Sequence, residues 1–272
     1  MPYRIPPAFL DKLWGSKGIE PWFAPRPGLL GEVWFQTEPP LSLLTKFIFT
    51  SDRLSVQVHP DDAQARQRGL ENGKTEMWHV LRADPGTTIA LGFRHEITLD
   101  HARAAALSGE IVDLLDWIPV HAGDTFFVNA GTVHAIGAGI ALCEIQQNSD
   151  TTYRLYDYGR DRKLHLTDGF AVSHLYPWRP QAAPQALDEA WTRLVTSQYF
   201  ETDLGLLSVT HQLPPAGAYR LLVILEGAGL IAGQPYNLGE CWLIDAAEPS
   251  VALSPSAPTR ILRTGPPSPL LS

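Results

Sequence analysis

The feature that most constrains the fold of this chain is a succession of short strand-like segments that are separated by turn residues. Residues 44–50 (LTKFIFT), 76–82 (EMWHVLR), 125–129 (TFFVN) and 219–226 (YRLLVILE) are rich in the β-branched, aromatic and aliphatic residues typical of strands. Turns with glycine, such as residues 121–124 (HAGD), separate such segments, and the chain contains 22 Gly and 23 Pro. Short strands at close spacing are typical of β sandwiches and barrels, so we predict a mainly β fold.

A proline-rich segment divides the chain. Residues 176–185 (YPWRPQAAPQ) have the composition of a linker between domains. On each side of this segment a strand-like run begins with a Gly-acid turn, as in residues 123–128 (GDTFFV) and 239–244 (GECWLI). This faint repeat indicates two copies of one jelly-roll unit. We therefore predict an N-terminal domain over residues 1–178 and a C-terminal domain over residues 186–272.

Few segments favour helices. Residues 98–117 are the best helical candidate, because a capping residue precedes an alanine-rich run, and a second short helix is expected at 111–115. An aspartate can also cap a short helix within residues 61–68. The first forty residues are rich in Pro, Gly and Trp and are expected to form an irregular arm, with one short strand at 32–35.

Charge and composition exclude several classes of protein. The 272 residues include 21 basic and 29 acidic residues, and no Lys/Arg cluster stands out, which argues against nucleic acid as a partner. No stretch approaches the about 18 apolar residues that span a bilayer, and the N-terminus lacks the apolar run of a signal peptide. We therefore expect a cytoplasmic protein with no membrane partner. With only Cys143 and Cys241 and no CxxC pair, the sequence also excludes a disulfide framework and a thiolate zinc finger.

Four polar residues form a candidate metal-binding set. Gln57 and His59 are two positions apart in the strand-like run 54–59 (LSVQVH), so both side chains are expected on one face of the sheet. Glu76 opens the next strand and His134 follows a tight turn, and neighbouring strands of a β-barrel would bring the four side chains together. Two imidazoles, a carboxylate and an amide oxygen suit Zn²⁺ or another divalent ion. The alternative is that the histidines are ordinary surface or turn residues, although Gln57 and His59 would be poorly satisfied in a dry core.

Four segments closely resemble the motifs of type I mannose-6-phosphate isomerases, and they occur in the order found in that family. They are residues 54–62 (LSVQVHPDD), 73–78 (GKTEMW), 131–137 (GTVHAIG) and 144–157 (EIQQNSDTTYRLYD). Residues 31–34 (GEVW) are also similar to the family's entry segment, so the resemblance covers roughly residues 30–160. The combination is highly specific, whereas any one segment is not.

The resemblance implies a fold and a set of metal ligands. The chain is similar to the short bacterial form of the family, which implies two cupin-like jelly-roll β-barrels with a short helical insertion. Gln57, His59, Glu76 and His134 take the ligand positions for one divalent metal ion, with zinc first and cobalt or manganese as alternatives. The metal is expected in the N-terminal catalytic domain, and the C-terminal cupin-like domain is expected to be metal-free and structural.

The resemblance also implies an activity and two catalytic residues. The implied reaction interconverts mannose 6-phosphate and fructose 6-phosphate, an aldose–ketose isomerisation through an enediol. Arg154 takes the position of the active-site arginine, whose permanent charge suits the enediolate or the phosphate. Lys74 matches a lysine of the active cleft, which would act as a base if the metal lowers its pKa or hold phosphate if it is ionised. The expected partner is a small-molecule sugar phosphate, and the expected assembly is a monomer or a homodimer.

Two other functions fit the same residues. A non-catalytic, metal-dependent sugar-phosphate-binding cupin would keep the metal set without needing both Lys74 and Arg154. An Fe-dependent cupin oxygenase usually has an early His-x-His pair, and Gln57 stands in place of its first histidine. The remaining histidines show no paired spacing and are expected to be structural or solvent-facing: His79, His95, His101, His121, His165, His174 and His211.

Overall fold

The computed structural model describes residues 1–267, so the last part of the predicted C-terminal domain, 268–272, lies outside the described residues. The strands are β1 (Tyr3–Ile5), β2 (Pro7–Ser16), β3 (Leu30–Phe35), β4 (Leu43–Phe49), β5 (Val56–Val58), β6 (Glu76–Ala83), β7 (Thr88–Phe93), β8 (Leu115–Pro119), β9 (Thr125–Val128), β10 (His134–Ile136), β11 (Ile140–Gln147), β12 (Tyr153–Tyr156), β13 (Gln185–Ala186), β14 (Trp191–Thr196), β15 (Glu201–Leu207), β16 (His211–Leu213), β17 (Arg220–Glu226), β18 (Ala228–Ile231), β19 (Gln234–Asn237), β20 (Cys241–Ile244), β21 (Val251–Pro255) and β22 (Thr259–Gly265). The helices are α1 (Asp62–Arg66), α2 (Leu99–Ser108), α3 (Ile111–Leu114) and α4 (Leu166–Val172).

The N-terminal part of the chain builds two antiparallel sheets that face each other. One sheet has the strand order β2-β3-β4-β11-β6-β9, and the other has the order β12-β5-β10-β7-β8. Apolar side chains from both sheets pack together between them, among them Ile48, Trp78, Leu91 and Ile136. The outer face of the five-stranded sheet, which includes Val58, packs against helices α2, α3 and α4.

The C-terminal part builds a second sandwich. Its larger sheet has the order β1-β20-β17-β22-β15-β14-β13, and its smaller sheet has the order β16-β21-β18-β19. Leu222 and Trp242 pack between these two sheets. On its other face the seven-stranded sheet packs against the six-stranded sheet of the first sandwich, where Phe47 and Val223 belong to one apolar cluster. The four sheets confirm the predicted mainly β class.

Strand β4 shows how the sequence produces this layering. All seven of its residues (LLTKFIF) are buried, because the six-stranded sheet is covered on both faces. Phe47 and Phe49 pack in the cluster shared with the seven-stranded sheet, whereas Ile48 packs inside the first sandwich. Lys46, on the same face as Ile48, lines a cavity at the polar end of that interior. The nearly continuous apolar run is therefore explained by two covered faces, and its one charged residue lies at the polar end of the interior.

The N-terminus differs from the expectation of an irregular arm. Strand β1 pairs with β20, with Tyr3 opposite Leu243, so it belongs to the sheet of the second sandwich. Strand β2 is the edge of the six-stranded sheet, where Pro7 stands at the first position and many side chains are exposed. The expectation of an arm was wrong because an edge strand tolerates Pro and needs no strict alternation. The division into residues 1–178 and 186–272 stays a prediction, and β1 is an exception to it.

Local capping signals locate two of the helices. The side chain of Asp61 accepts a hydrogen bond from the backbone of Gln64, whose own side chain accepts one from the Asp61 backbone, so α1 begins with a capping box. Thr98 caps α2, and Gly109, with a φ of 90°, ends it. Helix α4 carries no such signal, because His165 precedes it without a side-chain cap. In the described part of the chain, no helix combines the length and apolar character needed to cross a membrane.

Candidate active site

Two facing sheets position the predicted metal ligands. Gln57 on β5 lies opposite His134 on the neighbouring strand β10, so both side chains point to the same face of the five-stranded sheet. His59 follows β5 directly, and Glu76 is the first residue of β6 in the six-stranded sheet. The alternation expected for residues 54–59 holds at Val56 and Val58, which pack on the opposite face against the helices, but is wrong for Leu54, which precedes β5 and packs inside the first sandwich.

The side chains of His59, Glu76 and His134 form a buried cluster. Glu76 Oε1 lies 3.3 Å from His134 Nε2, and Glu76 Oε2 lies 3.7 Å from His59 Nε2. One donor atom from each of the three residues lies within 4.8 Å of the others. The amide nitrogen of Gln57 is 3.2 Å from His134 Nε2, and its oxygen is 3.5 Å from Ser55 Oγ. Rotation of the amide by half a turn exchanges these two atoms, so Gln57 can present an oxygen to the cluster.

Backbone carbonyls fix the tautomers of both histidines. His59 Nδ1 donates to the carbonyl of Thr151 at 2.8 Å, and His134 Nδ1 donates to the carbonyl of Thr132 at 2.8 Å. Each Nε2 lone pair is therefore directed into the cluster, where a metal ion could take the place of its present neighbours, Lys74 and Gln57. Burial lowers the pKa of His134 to about 4 and the pKa of His59 well below its usual value, although the carbonyl partners oppose this shift. Both rings are neutral at pH 7, as metal binding requires.

The burial, the partners and the pKa of Glu76 indicate whether the cluster suits a cation. Both oxygens are buried and, within residues 1–267, neither has a partner that meets hydrogen-bond geometry. Burial raises the pKa of Glu76 to about 8, even though the Lys74 ammonium at 2.8 Å opposes that rise. The raised pKa indicates that the single ammonium of Lys74 does not fully compensate the buried carboxylate, and a divalent cation would add the missing positive charge. Together with two neutral imidazoles, this donor set fits a divalent metal ion.

Lys74 lies beside the cluster and is itself buried. Its ammonium is 3.1 Å from His59 Nε2, in addition to its contact with Glu76. Burial alone would lower the pKa of Lys74, but the Glu76 and Glu144 carboxylates raise it above its usual value. In the metal-free protein Lys74 is therefore an ammonium group, in contrast to the lowered pKa expected for a lysine next to a metal ion.

A polar cavity of about 470 Å³ opens next to the cluster. Gln57, Lys74 and Arg154 reach its wall, whereas the cluster histidines and Glu76 are not among the lining residues. The other polar lining residues are Lys12, Glu32, Trp34, Lys46, Ser55, Glu144, Asp150, Thr152, Arg162 and His165. Every lining residue lies between positions 10 and 165, so the second sandwich does not wall this cavity.

Arg154 lies on β12 directly opposite Gln57, which places its side chain on the face of the cluster. Its Nη1 donates to the carbonyl of Lys163 at 3.0 Å, and its Nε is 4.0 Å from Asp157. Burial and the neighbouring Arg162 lower the pKa of Arg154 from its very high usual value. The guanidinium remains a cation at the edge of the cavity.

Lys46 and Glu144 also line the cavity, although the sequence analysis did not identify them. Lys46 Nζ lies 3.2 Å from Glu144 and donates to Gln146 Oε1 at 2.6 Å. Trp78 Nε1 donates to Glu144 at 3.1 Å. Burial would raise the pKa of Glu144, but Lys46 and Lys74 lower it to about 2. A charged residue inside an apolar strand was the available signal, since Lys46 and Glu144 each interrupt such a run.

The fold and the site together define a protein of two adjoining β sandwiches in which only the first holds the candidate metal centre among residues 1–267. No family model matches the chain. Over 230 residues it is 36% identical to the mannose-6-phosphate isomerase ManA of Bacillus subtilis, covering 76% of this chain and 73% of that protein. This chain therefore belongs to the mannose-6-phosphate isomerase family, as its motifs suggest.

The alignment with a second relative covers a smaller share of that relative's length. The chain is 40% identical over 204 residues to the mannose-6-phosphate isomerase of Streptococcus mutans. That alignment includes 70% of this chain but only 62% of the relative, so the chain spans less than two thirds of that protein.

Solved structures agree in fold. The crystal structure of mannose 6-phosphate isomerase from Bacillus subtilis superposes with a TM-score of 0.85 at 22% identity, covering 97% of this chain and 99% of that one. A putative mannosephosphate isomerase from Archaeoglobus fulgidus gives a TM-score of 0.80 at 16% identity, with 97% and 96% covered. The similarity extends over both sandwiches and supports the cupin architecture of the short form.

Proposed function

We propose that this protein is an isomerase that interconverts mannose 6-phosphate and fructose 6-phosphate. The observation that carries the proposal is the buried cluster of His59, Glu76 and His134 next to a polar cavity, in a chain of the mannose-6-phosphate isomerase family. The cavity volume of about 470 Å³ is within the range of about 300–1,000 Å³ that is common for small-molecule sites. Its lysine and arginine side chains suit an anionic sugar.

The proposed metal centre consists of Gln57, His59, Glu76 and His134. The Nε2 lone pairs directed into the cluster and the incompletely compensated carboxylate of Glu76 support this assignment. Zinc is the first candidate, because nitrogen and oxygen donors in a closed cluster suit it. When bound, the ion supplies a Lewis acid that stabilises negative charge on a sugar oxygen.

Arg154 and Lys74 are the proposed catalytic residues. The isomerisation moves a proton between C2 and C1 of the open-chain sugar through an enediol, so negative charge develops on the oxygens of these carbons. Lys74 reaches both the cluster and the cavity, where its ammonium can hold or transfer a proton at such an oxygen. Arg154 lies on the same face and can stabilise the enediolate or the phosphate.

The proposed division of labour places the chemistry in residues 1–178. All residues that line the cavity lie in this range, which supports a structural, metal-free role for residues 186–272. The second sandwich supports the first through the apolar cluster between the six- and seven-stranded sheets.

A coupled assay tests the proposal. Purified protein is supplied with mannose 6-phosphate, and fructose 6-phosphate is followed before and after treatment with a chelator, with metal content measured on the same samples. We expect turnover that is lost with the metal and restored by zinc. A loaded protein that binds the sugar phosphate without turnover would contradict the isomerase assignment, and turnover that persists without metal would contradict the metal centre.

A further inference from the structure

His165 occupies an unusual position at the edge of the five-stranded sheet. It stands just before α4 and beside β12, which is the edge strand of that sheet. The backbone N–H of His165 donates to the carbonyl of Arg154 at 2.7 Å, and the backbone N–H of Arg154 donates to His165 Nδ1 at 3.2 Å. The imidazole therefore replaces the strand partner that an edge residue lacks.

These contacts decide which ring nitrogen carries the proton. Because Nδ1 accepts a hydrogen bond, the hydrogen of the neutral ring is on Nε2. Partial burial lowers the pKa of His165, and the positive charges of Arg154 and Lys163 add to this effect, so the ring is neutral at pH 7. Within residues 1–267 no hydrogen-bond partner of Nε2 is found, and His165 lines the cavity. The protein thus presents a fixed, uncharged N–H donor at the cavity wall.

The surrounding charges indicate which part of a ligand this donor meets. At the metal cluster, Lys46 and Lys74 are matched by buried carboxylates. Next to His165 the cavity is lined by Arg154 and Arg162, and the buried carboxylate in this region, Asp157, is held by Arg160 and Arg162. Asp150 also lines the cavity, but the end beside His165 carries an excess of guanidinium charge. A phosphate group is the anionic part of a sugar phosphate and is complementary to this end.

We propose that His165 donates a hydrogen bond from Nε2 to a phosphate oxygen of the bound sugar phosphate. This inference rests on the proposed function. It assigns His165 a specificity role in which the Arg154 backbone fixes the orientation of the donor. If the role of His165 were purely structural, only Nδ1, which accepts from the Arg154 N–H, would matter. The test therefore has to separate the effect of losing Nδ1 from the effect of losing Nε2.

Two substitutions separate them. In His165→Asn the amide oxygen can still accept from the Arg154 N–H, but the side chain is too short to replace Nε2. In His165→Gln the longer amide can place an N–H near the position of Nε2, while the acceptor for Arg154 is lost. For His165→Asn we expect a KM for mannose 6-phosphate that is about tenfold higher, the effect of one charge-assisted hydrogen bond, with kcat changed less than about twofold. His165→Gln should have the lower Tm of the two variants but the KM closer to that of the unchanged protein.

Inorganic phosphate is the binding probe, with metal content and Tm measured on the same samples. The inhibition constant of phosphate against mannose 6-phosphate should rise in His165→Asn in parallel with KM, at unchanged metal content. Two results would overturn the inference. One is a His165→Asn variant in which KM and phosphate inhibition are unchanged, and the other is a larger rise in KM for whichever of the two variants has the lower Tm. The protein without substitutions is assayed first. If it does not isomerise mannose 6-phosphate, the proposed function is refuted independently of the role of His165.

Discussion

The two β sandwiches of this protein share an architecture but differ in what fills them. The interior of the second sandwich is apolar, with Leu222, Ile224 and Trp242 packed between its sheets. The first sandwich has an apolar core only in part, because its other end holds the cluster around Glu76 and a cavity of about 470 Å³. The same strand geometry therefore provides a packed support in one place and a polar site in another. The two sandwiches thus differ in a few inward-facing positions and not in the fold itself.

The polar interior is stable because nearly every buried charge has a partner. Lys46 pairs with Glu144, and Lys74 pairs with Glu76. Carbonyls hold the outer nitrogens of both cluster histidines. The Glu76 carboxylate remains the incomplete part, because its contact with Lys74 leaves its pKa raised, and a cation would complete the network there. An equivalent incomplete cluster would be costly in the second sandwich, whose interior between the two sheets is packed with apolar side chains.

The largest expected effect comes from removing a cluster histidine. We expect His134→Ala to lose bound metal and at least about a thousandfold in kcat/KM, because Lewis-acid stabilisation of several kcal/mol is lost. Metal analysis of the purified variant and the coupled isomerase assay measure the two effects. The matched control is His211→Ala in the second sandwich, which should keep both the bound metal and the value of kcat/KM. Stoichiometric metal in His134→Ala would show that the ligand set is wrong.

Arg154 should have the next largest effect and should separate catalysis from metal binding. We expect Arg154→Ala to lower kcat by about a hundredfold or more, because the cation at the cavity edge is removed, while metal content stays unchanged. Steady-state kinetics and metal analysis on one preparation check both expectations. Arg66→Ala, on the last turn of the short helix α1, controls for loss of charge. Normal turnover in Arg154→Ala would refute the role proposed for this residue.

The contact between the two sandwiches should respond to pH through His79. This buried ring contacts Thr125 at 2.9 Å, and burial, together with Arg260, lowers its pKa to about 4. The folded state therefore favours the neutral ring. The contribution of His79 to the free energy of unfolding is fully present above about pH 6.5, the ordinary pKa of histidine, and is lost as the pH falls from there towards 4.

For this group the loss between pH 7 and pH 4.5 should be on the order of 2 kcal/mol. Urea unfolding at both pH values measures it. His79→Gln should show a smaller acid-induced decrease in the free energy of unfolding than the unchanged protein, whereas the exposed control His121→Gln should not. An equal decrease in all three proteins would contradict the assignment to His79.

The smallest effect is expected in the core of the second sandwich. Ile224 is fully buried there, and Ile224→Val should lower the free energy of unfolding by about 1 kcal/mol through the loss of one methylene group. Metal content and kinetic constants should not change, because the residue lies far from the lining of the cavity. Denaturant unfolding and the isomerase assay check these two outcomes. A change in KM at this site would mean that the second sandwich contributes to substrate binding.

Local patterns in the sequence were sufficient to predict much of the fold and the candidate site. The alternation around Gln57 and His59 and the presence of capping residues before α1 and α2 depend only on neighbouring residues, and both are found in the structure, with Asp61 and Thr98 as the caps. Glu76 and His134 were in the candidate set from their places after turns and at strand starts, and the family motifs include both; the structure shows their convergence with His59. Their roles as ligands stay predictions.

Other features depend on residues that are distant in sequence, and these were missed. Lys46 and Glu144 were not identified because each is satisfied by a partner about a hundred residues away. His165 was interpreted as structural or solvent-facing, since no spacing pattern connects it to Arg154. Helix α4 has no side-chain cap, and its helical conformation is supported by the packing of Phe170 and Val172.

The amino-acid sequence by itself determined the β class, the helix starts and the faces of the strands, because these follow from steric and hydrogen-bonding preferences within a few residues. Only the tertiary structure decided that β1 joins the second sandwich, that Lys46 meets Glu144, and that the ring of His165 meets the backbone of Arg154. Such pairings depend on which groups are buried together when the sheets pack. These contacts join residues that are far apart in the sequence and depend on burial in the folded chain, so no local pattern in the sequence predicts them.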